Sequence, residues 1–126
     1  MLENIMNIST KMDFDKINCY EIVKCIFNLK NTDLKVLQSF HKNQGVTINQ
    51  LTMKIGKDKS IIYRSLEKLI SCKLCYKERK SGEKRGFIDY YYRIPIKDIL
   101  KITEENLDRC YLKMKKIINN TNGLKE

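Results

Sequence analysis

Basic side chains able to bind an anionic ligand are concentrated in one stretch of this sequence. Between residues 54 and 85 there are eleven Lys or Arg and four Asp or Glu, so this stretch carries seven of the ten surplus positive charges of the 126-residue chain. Ammonium and guanidinium groups at this density bind phosphate groups, which makes nucleic acid the expected partner. A Lys-rich stretch is also typical of a solvated surface. The elements that carry these residues therefore decide between the two interpretations.

Two short helices with a turn between them are predicted at the start of the basic stretch. Thr47 and Gln50 form a T-x-x-Q capping box that begins the first helix, and Gly56 can end it in a left-handed conformation. Asp58 can cap the second helix, which has a one-sided apolar stripe of Ile62, Leu66 and Leu69. Such a pair is typical of a helix-turn-helix unit.

A β-hairpin is predicted after the second helix, because the hydrophobic period changes there. Residues 75–80 and 87–94 are rich in aromatic and β-branched side chains, and a basic Gly-containing turn lies between them. Upstream, residues 14–29 have the spacing of an amphipathic helix, and Thr32 can cap another. The hairpin would be the wing of a winged helix-turn-helix domain.

A long C-terminal helix is predicted after Pro95, with one narrow apolar seam. Its positions alternate four and three residues apart, as in a heptad repeat, at Ile96, Leu100, Thr103, Leu107, Cys110, Met114 and Ile117. A small core cannot cover such a seam along its whole length, so pairing with a second copy is the expected solution. The predicted dimer interface consists of Ile96, Leu100, Leu107, Cys110, Met114 and Ile117.

These patterns predict a mainly α protein with a small β-hairpin: a winged helix-turn-helix domain with an N-terminal helix and a long C-terminal dimerisation helix. The expected organisation is a flexible arm at residues 1–12, the DNA-binding domain at 13–94, the dimerisation helix at 95–118 and a flexible tail at 119–126.

The predicted helix-turn-helix assigns roles to the basic residues. The N-terminal part of the second helix would enter the major groove, so Lys59, Ser60, Tyr63 and Arg64 are candidates for contacts with base edges or nearby phosphates. Arg64 is the first choice for a guanine because its guanidinium is a planar two-pronged donor. Phosphate contacts are expected from Lys54, Lys57 and Lys68. Lys80, Lys84 and Arg85 at the tip of the wing are expected to reach the DNA backbone or the minor groove.

The five cysteines do not have the spacing of a secreted disulfide framework or of a metal site. Cys72 and Cys75 form one C-x-x-C. Ordinary packing of the two side chains is the commoner interpretation, and a redox switch is the more specific hypothesis. No catalytic constellation, membrane segment or signal peptide is recognisable. We therefore expect a cytoplasmic protein that is not an enzyme and needs no metal or cofactor.

The residues from Gly56 to Leu69, GKDKSIIYRSLEKL, resemble the recognition segment of archaeal TrmB-like and MarR-like regulators, and the segments VKCIFNL at 23–29 and GFIDYYY at 86–92 resemble their helix and wing. The resemblance spans about residues 22–117. It implies a dimeric DNA-binding winged helix whose DNA-facing positions are Lys59, Ser60, Tyr63 and Arg64. Lys73 stands where these families usually have glycine. The sugar-binding domain of larger TrmB proteins is absent, so the resemblance implies no effector.

The expected function is that of a sequence-specific transcriptional regulator that binds double-stranded DNA as a homodimer. Two alternatives remain open. One is a winged-helix module that binds a protein of the transcription or chromatin machinery, and the other is a protein that coats DNA without sequence preference.

Overall fold

The computed structural model describes residues 18–82 and 86–120. Five helices and one hairpin follow one another in this part of the chain. They are α1 (Cys19–Ile26), α2 (Asn31–Gln38), α3 (Ile48–Ile55), α4 (Lys59–Ser71), β1 (Cys75–Ser81), β2 (Phe87–Arg93) and α5 (Ile96–Asn119). The predicted fold class, mainly helical with a winged helix-turn-helix arrangement, is confirmed.

The first helix of the helix-turn-helix unit forms for the reasons that its sequence predicts, and the second does so in part. The Thr47 hydroxyl accepts a hydrogen bond from the Gln50 N–H at 3.2 Å, and the Gln50 side chain accepts one from the Thr47 N–H at 2.9 Å. Gly56 ends α3 with φ of 76°, in the left-handed region that favours glycine. Asp58 is the N-cap residue of α4, as predicted, but its side chain makes no capping hydrogen bond; its carbonyl accepts bonds from the N–H groups of Ile61 and Ile62.

The first two helices differ from the prediction at their ends. Helix α1 ends at Ile26, because Asn28 turns the chain with φ of 54° and Leu29 packs beyond the helix. The N-cap of α2 is Lys30, so the prediction that Thr32 caps this helix is wrong. The carboxylate of Asp33 accepts a bond from the Lys30 N–H at 2.9 Å, which starts the helix two residues earlier.

One core lies under the helix-turn-helix and continues beneath the hairpin. Leu37, Leu51, Ile62, Leu66 and Leu69 are among its fully buried side chains. Ile99 joins the same cluster from α5. Burial of these side chains stabilises the fold by about 1.5 to 3 kcal/mol each, before the cost of ordering the chain. The inward stripe of Ile62, Leu66 and Leu69 predicted for α4 is confirmed.

The hairpin is antiparallel, with Cys75 opposite Arg93 and Ser81 opposite Phe87. A third extended segment joins its base, because Val46 and Tyr91 exchange two backbone hydrogen bonds of 2.9 and 2.8 Å. Tyr91 is 3% exposed, so this side of the hairpin faces the core. The hairpin is thereby fixed to the residues just before α3.

Helix α5 packs against α1 through one face only. Ile99 and Thr103 are buried on that face, and the Thr103 hydroxyl donates to the Ile99 carbonyl at 2.7 Å. No helix of the described residues is long and apolar enough to cross a membrane.

Candidate nucleic-acid interface

Helix α4 presents an exposed ridge opposite its buried stripe. Successive helical residues are about 100° apart, so Ser60 and Arg64 point away from Ile62 and Leu66, which are fully buried. Lys59 and Lys57 are exposed at the start of the helix. The structure thus brings the predicted groove-facing residues together on a solvent-facing surface.

One flank of α4 faces the wing. Burial raises the pKa of Tyr91 at the base of the wing, and Asp89, Tyr63 and Glu67 raise it further because their negative charges lie nearby. Tyr63 is 48% exposed, and it lies close enough to Tyr91 for its charge to act on that side chain. The ridge and the wing are therefore neighbours on one side of the molecule, the arrangement needed to contact a groove and its edge together.

Glu67 is an exposed acidic residue on this side that the sequence analysis did not assign. It lies three residues after Arg64 and four after Tyr63, so it shares their part of the helix surface. A carboxylate repels phosphate but can accept a hydrogen bond from the amino group of cytosine. The signal in the sequence was the position of an acidic residue within an otherwise basic recognition helix.

Two of the predicted phosphate contacts already have partners within the chain. The ammonium group of Lys54 donates to the Ser39 carbonyl at 2.9 Å and lies 3.3 Å from the His41 ring nitrogen. The ammonium group of Lys80 donates to the Tyr92 hydroxyl at 2.9 Å. Both lysines are exposed, and these bonds compete with any contact to a phosphate.

The two faces of the hairpin differ in chemistry. On the face opposite Tyr91, Tyr76 and Tyr92 stack with ring centroids 5.2 Å apart, and Lys80 lies over the rings of Tyr90 and Tyr92. On the face of Tyr91, Arg79 pairs with Asp89 at 2.9 Å and lowers the pKa of that carboxyl. The tyrosine rings of this face thus pack against one another and against the Lys80 ammonium group. Lys84 and Arg85 lie outside the described residues.

The predicted dimer seam is divided between two surfaces. Ile96, Leu100, Leu107 and Ile117 are exposed, whereas Cys110 and Met114 are half-buried. Burial raises the pKa of Cys25 on α1, and the nearby Cys110 raises it further, so Cys110 faces its own chain. The heptad spacing did not show this, because the helix packs on a face that includes Thr103 of the seam together with Ile99, which the seam omits.

The C-x-x-C residues lie where α4 passes into the hairpin. Cys75 is buried, Cys72 is half-buried and both are thiols. Burial raises the pKa of Cys75 to about 12. Among the described residues no group of three or more His, Cys, Asp or Glu side chains could hold a metal ion.

Solved structures from archaea share this fold. A possible transcriptional regulator from Methanosarcina mazei Go1 aligns with a TM-score of 0.63 and 24% identity over 79% of this chain and 88% of that one. The ST1889 protein of Sulfolobus tokodaii aligns with a TM-score of 0.61 and 20% identity over 75% of this chain and 92% of that one. At these identities the likeness concerns the fold.

The amino-acid sequence is also similar to that of another archaeal protein and to a known family. An uncharacterized protein of Methanocaldococcus jannaschii is 26% identical over 95 residues, which are 75% of this chain and 72% of the relative. The model of the TFIIE alpha subunit family matches residues 16–122. This family is a different one from the TrmB-like and MarR-like families, which residues 56–69 were found to resemble in the sequence analysis. Because the match spans most of the chain, including the whole helix-turn-helix and hairpin, the protein belongs to the TFIIE alpha subunit family of transcription-related winged helices.

Proposed function

We propose that this protein is a sequence-specific regulator of transcription that binds duplex DNA as a homodimer. Helix α4 lies in the major groove in this proposal, and the wing contacts the backbone or the minor groove. The observation that carries the proposal is the exposed ridge of Ser60 and Arg64 with its neighbouring wing. A planar guanidinium on such a ridge is suited to the paired acceptors of guanine.

The charge distribution supports the same partner. The chain has a formal net charge of +10, and most of the surplus lies in the helix-turn-helix and hairpin. Neutralising backbone phosphates releases counterions, which makes binding strongly dependent on salt. Pairing is supported by Leu100 and Leu107, which are each 41% exposed on α5 in the single chain.

A duplex-binding titration tests the function. Fragments selected from genomic DNA by the protein are expected to bind with a Kd of about 10⁻⁸ M, and competing sequences to bind more weakly by about 10³-fold or more. Arg64→Ala should reduce discrimination at one base pair by about 1 to 3 kcal/mol. Lys101→Ala, on the exposed side of α5, is the matched loss of one charge and should leave discrimination unchanged.

Other results of the titration would overturn the proposal. Equal affinity for all duplexes with steep salt dependence indicates a DNA-coating protein. Absence of binding at low salt indicates the second candidate function, a module that binds a protein of the transcription machinery. The exposed apolar side chains of Met53 (86%) and Phe87 (71%) favour that candidate, because such side chains are common at protein interfaces.

A further inference from the structure

We propose that a cleft on the flank of α4 opposite the wing binds a phosphate group of the DNA backbone. The inference rests on the proposed function, and it adds a contact between the protein and the second strand of the DNA. The cleft has a volume of about 310 Å³ and lies between the start of α2 and the middle of α4. Lys30, Arg64 and Lys68 line it. Arg64 stands at its groove side, where it is proposed to contact a base, so Lys30 and Lys68 supply the two positive charges for the phosphate from two separate segments.

The floor of the cleft is built by a buried hydrogen bond. Asp33 is 6% exposed and Ser65 is 4% exposed, and the Ser65 hydroxyl donates to the Asp33 carboxylate at 2.6 Å. The other carboxylate oxygen accepts the Lys30 N–H at 2.9 Å. Both oxygens of this single negative charge are therefore engaged with the protein, while the three cations stand at the rim.

The cations at the rim are positioned by structure. The bond between Asp33 and the Lys30 N–H fixes the backbone of Lys30 at the cap of α2, after the left-handed turn at Asn28. Lys68 is half-buried, so its aliphatic stem packs along the cleft. Each lysine provides a compact positive charge for a phosphate oxygen.

The position of the cleft relative to the wing indicates a phosphate of the opposite strand. Tyr63 and Lys68 are five residues apart, which places them about 140° apart around α4. Tyr63 lies toward the wing, so Lys68 and the cleft lie on the other flank. A helix in a major groove about 12 Å wide has a phosphate backbone on each side. The wing reaches one of these backbones and the cleft reaches the other.

Two charge-removing variants test this inference in the full chain. Lys30→Gln and Lys68→Gln should each weaken binding to all duplexes by the same factor and lower the slope of log K against log salt by about one. Between 50 and 200 mM salt, each variant should therefore lose about three- to fourfold less affinity than the wild type. The double variant should lower the slope by about two.

The control is Lys101→Gln, which removes the same charge from α5 and should leave the slope unchanged. Equal thermal melting of all variants shows that each is folded. An unchanged slope for both cleft variants, with normal wild-type binding, overturns the cleft while leaving the proposed function intact.

A second probe distinguishes a DNA phosphate from a free one. Inorganic phosphate at millimolar concentration is added to the wild type and to the double variant without DNA, and the Tm of each is measured. If the wild type binds no duplex, but phosphate raises its Tm and not that of the double variant, the DNA assignment is overturned and the site belongs to a free phosphorylated ligand. If the salt dependence of DNA binding changes by the expected slopes in the variants, the assignment of the cleft to a phosphate of the DNA backbone stands.

Discussion

The thiol of Cys75 is buried at the junction between the recognition helix and the hairpin. Burial raises its pKa to about 12 because the thiolate cannot be solvated there. A thiolate is the reactive form in alkylation and in disulfide exchange. The redox switch proposed for Cys72 and Cys75 stays a prediction, and any such switch requires the junction to open first.

We expect Cys75 to resist alkylation in the native protein. A pKa of about 12 instead of 9.0 lowers the thiolate fraction near neutral pH by about a thousandfold. Iodoacetamide at pH 7.5 should therefore modify the exposed Cys19 long before Cys75, as measured by mass spectrometry of peptides. Equal labelling in the native state and in denaturant would contradict this account.

The same pKa has a consequence for stability. The folded state holds the Cys75 thiol neutral, so its contribution to the free energy of unfolding is fully present below pH 9. It is lost as the pH rises toward 12, because the unfolded chain then releases the proton more readily.

At the residue scale, the sequence predicted the inward positions of α4 but not the partners of its lysines. Ile62 and Leu66 follow from helical periodicity alone. Lys54 bonds to the Ser39 carbonyl fifteen residues away, and Lys80 bonds to the Tyr92 hydroxyl twelve residues away. Such contacts depend on tertiary placement, which no local pattern contains. For the same reason Lys30 was not selected as a phosphate ligand.

At the element scale, the boundaries with a full capping signal were the ones predicted correctly. Thr47, Gln50 and Gly56 define α3 locally, and the change of hydrophobic period defines the hairpin. The start of α2 was predicted two residues late, because the decisive group was the Asp33 carboxylate inside the helix and not a hydroxyl before it. The strand at Val46 was missed, since a single residue that pairs with Tyr91 has no periodicity.

The capping box of α3 provides a prediction at this scale. Thr47→Ala removes the acceptor for the Gln50 N–H and should lower the free energy of unfolding by about 1 kcal/mol. Urea denaturation measures the change. Asn49→Ala, at an exposed position of the same helix, is the control and should change stability by less than about 0.5 kcal/mol. A similar loss for both variants would show that the box has no special role.

At the scale of the whole molecule, α5 carries apolar side chains that its own core does not cover. The helix has 24 residues and extends for about 36 Å. Its neighbour α1 has 8 residues and covers the face of Ile99 and Thr103. Leu100 and Leu107 lie beside that face, with Tyr111 and Ile118 continuing the stripe at exposures of 54% and 76%. A second copy of the chain is the occupant that we propose.

Charges placed on this stripe should separate the two copies. The double variant Leu100→Glu with Leu107→Glu is expected to sediment with the mass of one 15.0 kDa chain, and the wild type with that of two. Leu112→Glu is the control, because Leu112 is 58% exposed on another side of α5. Its mass should remain that of the pair. A wild type that sediments as a monomer at about 100 µM would exclude the homodimer.

The two hydrogen bonds between Val46 and Tyr91 restrict how the molecule can adapt to a ligand. These bonds join the base of the hairpin to a residue just before α3. A rotation of the base of the wing would therefore also move the helix-turn-helix unit. The part of the hairpin toward Ser81 and Phe87 lies beyond these two bonds. The base of the wing and the start of α3 therefore meet a ligand as one unit, and the DNA partner that we propose must fit their spacing.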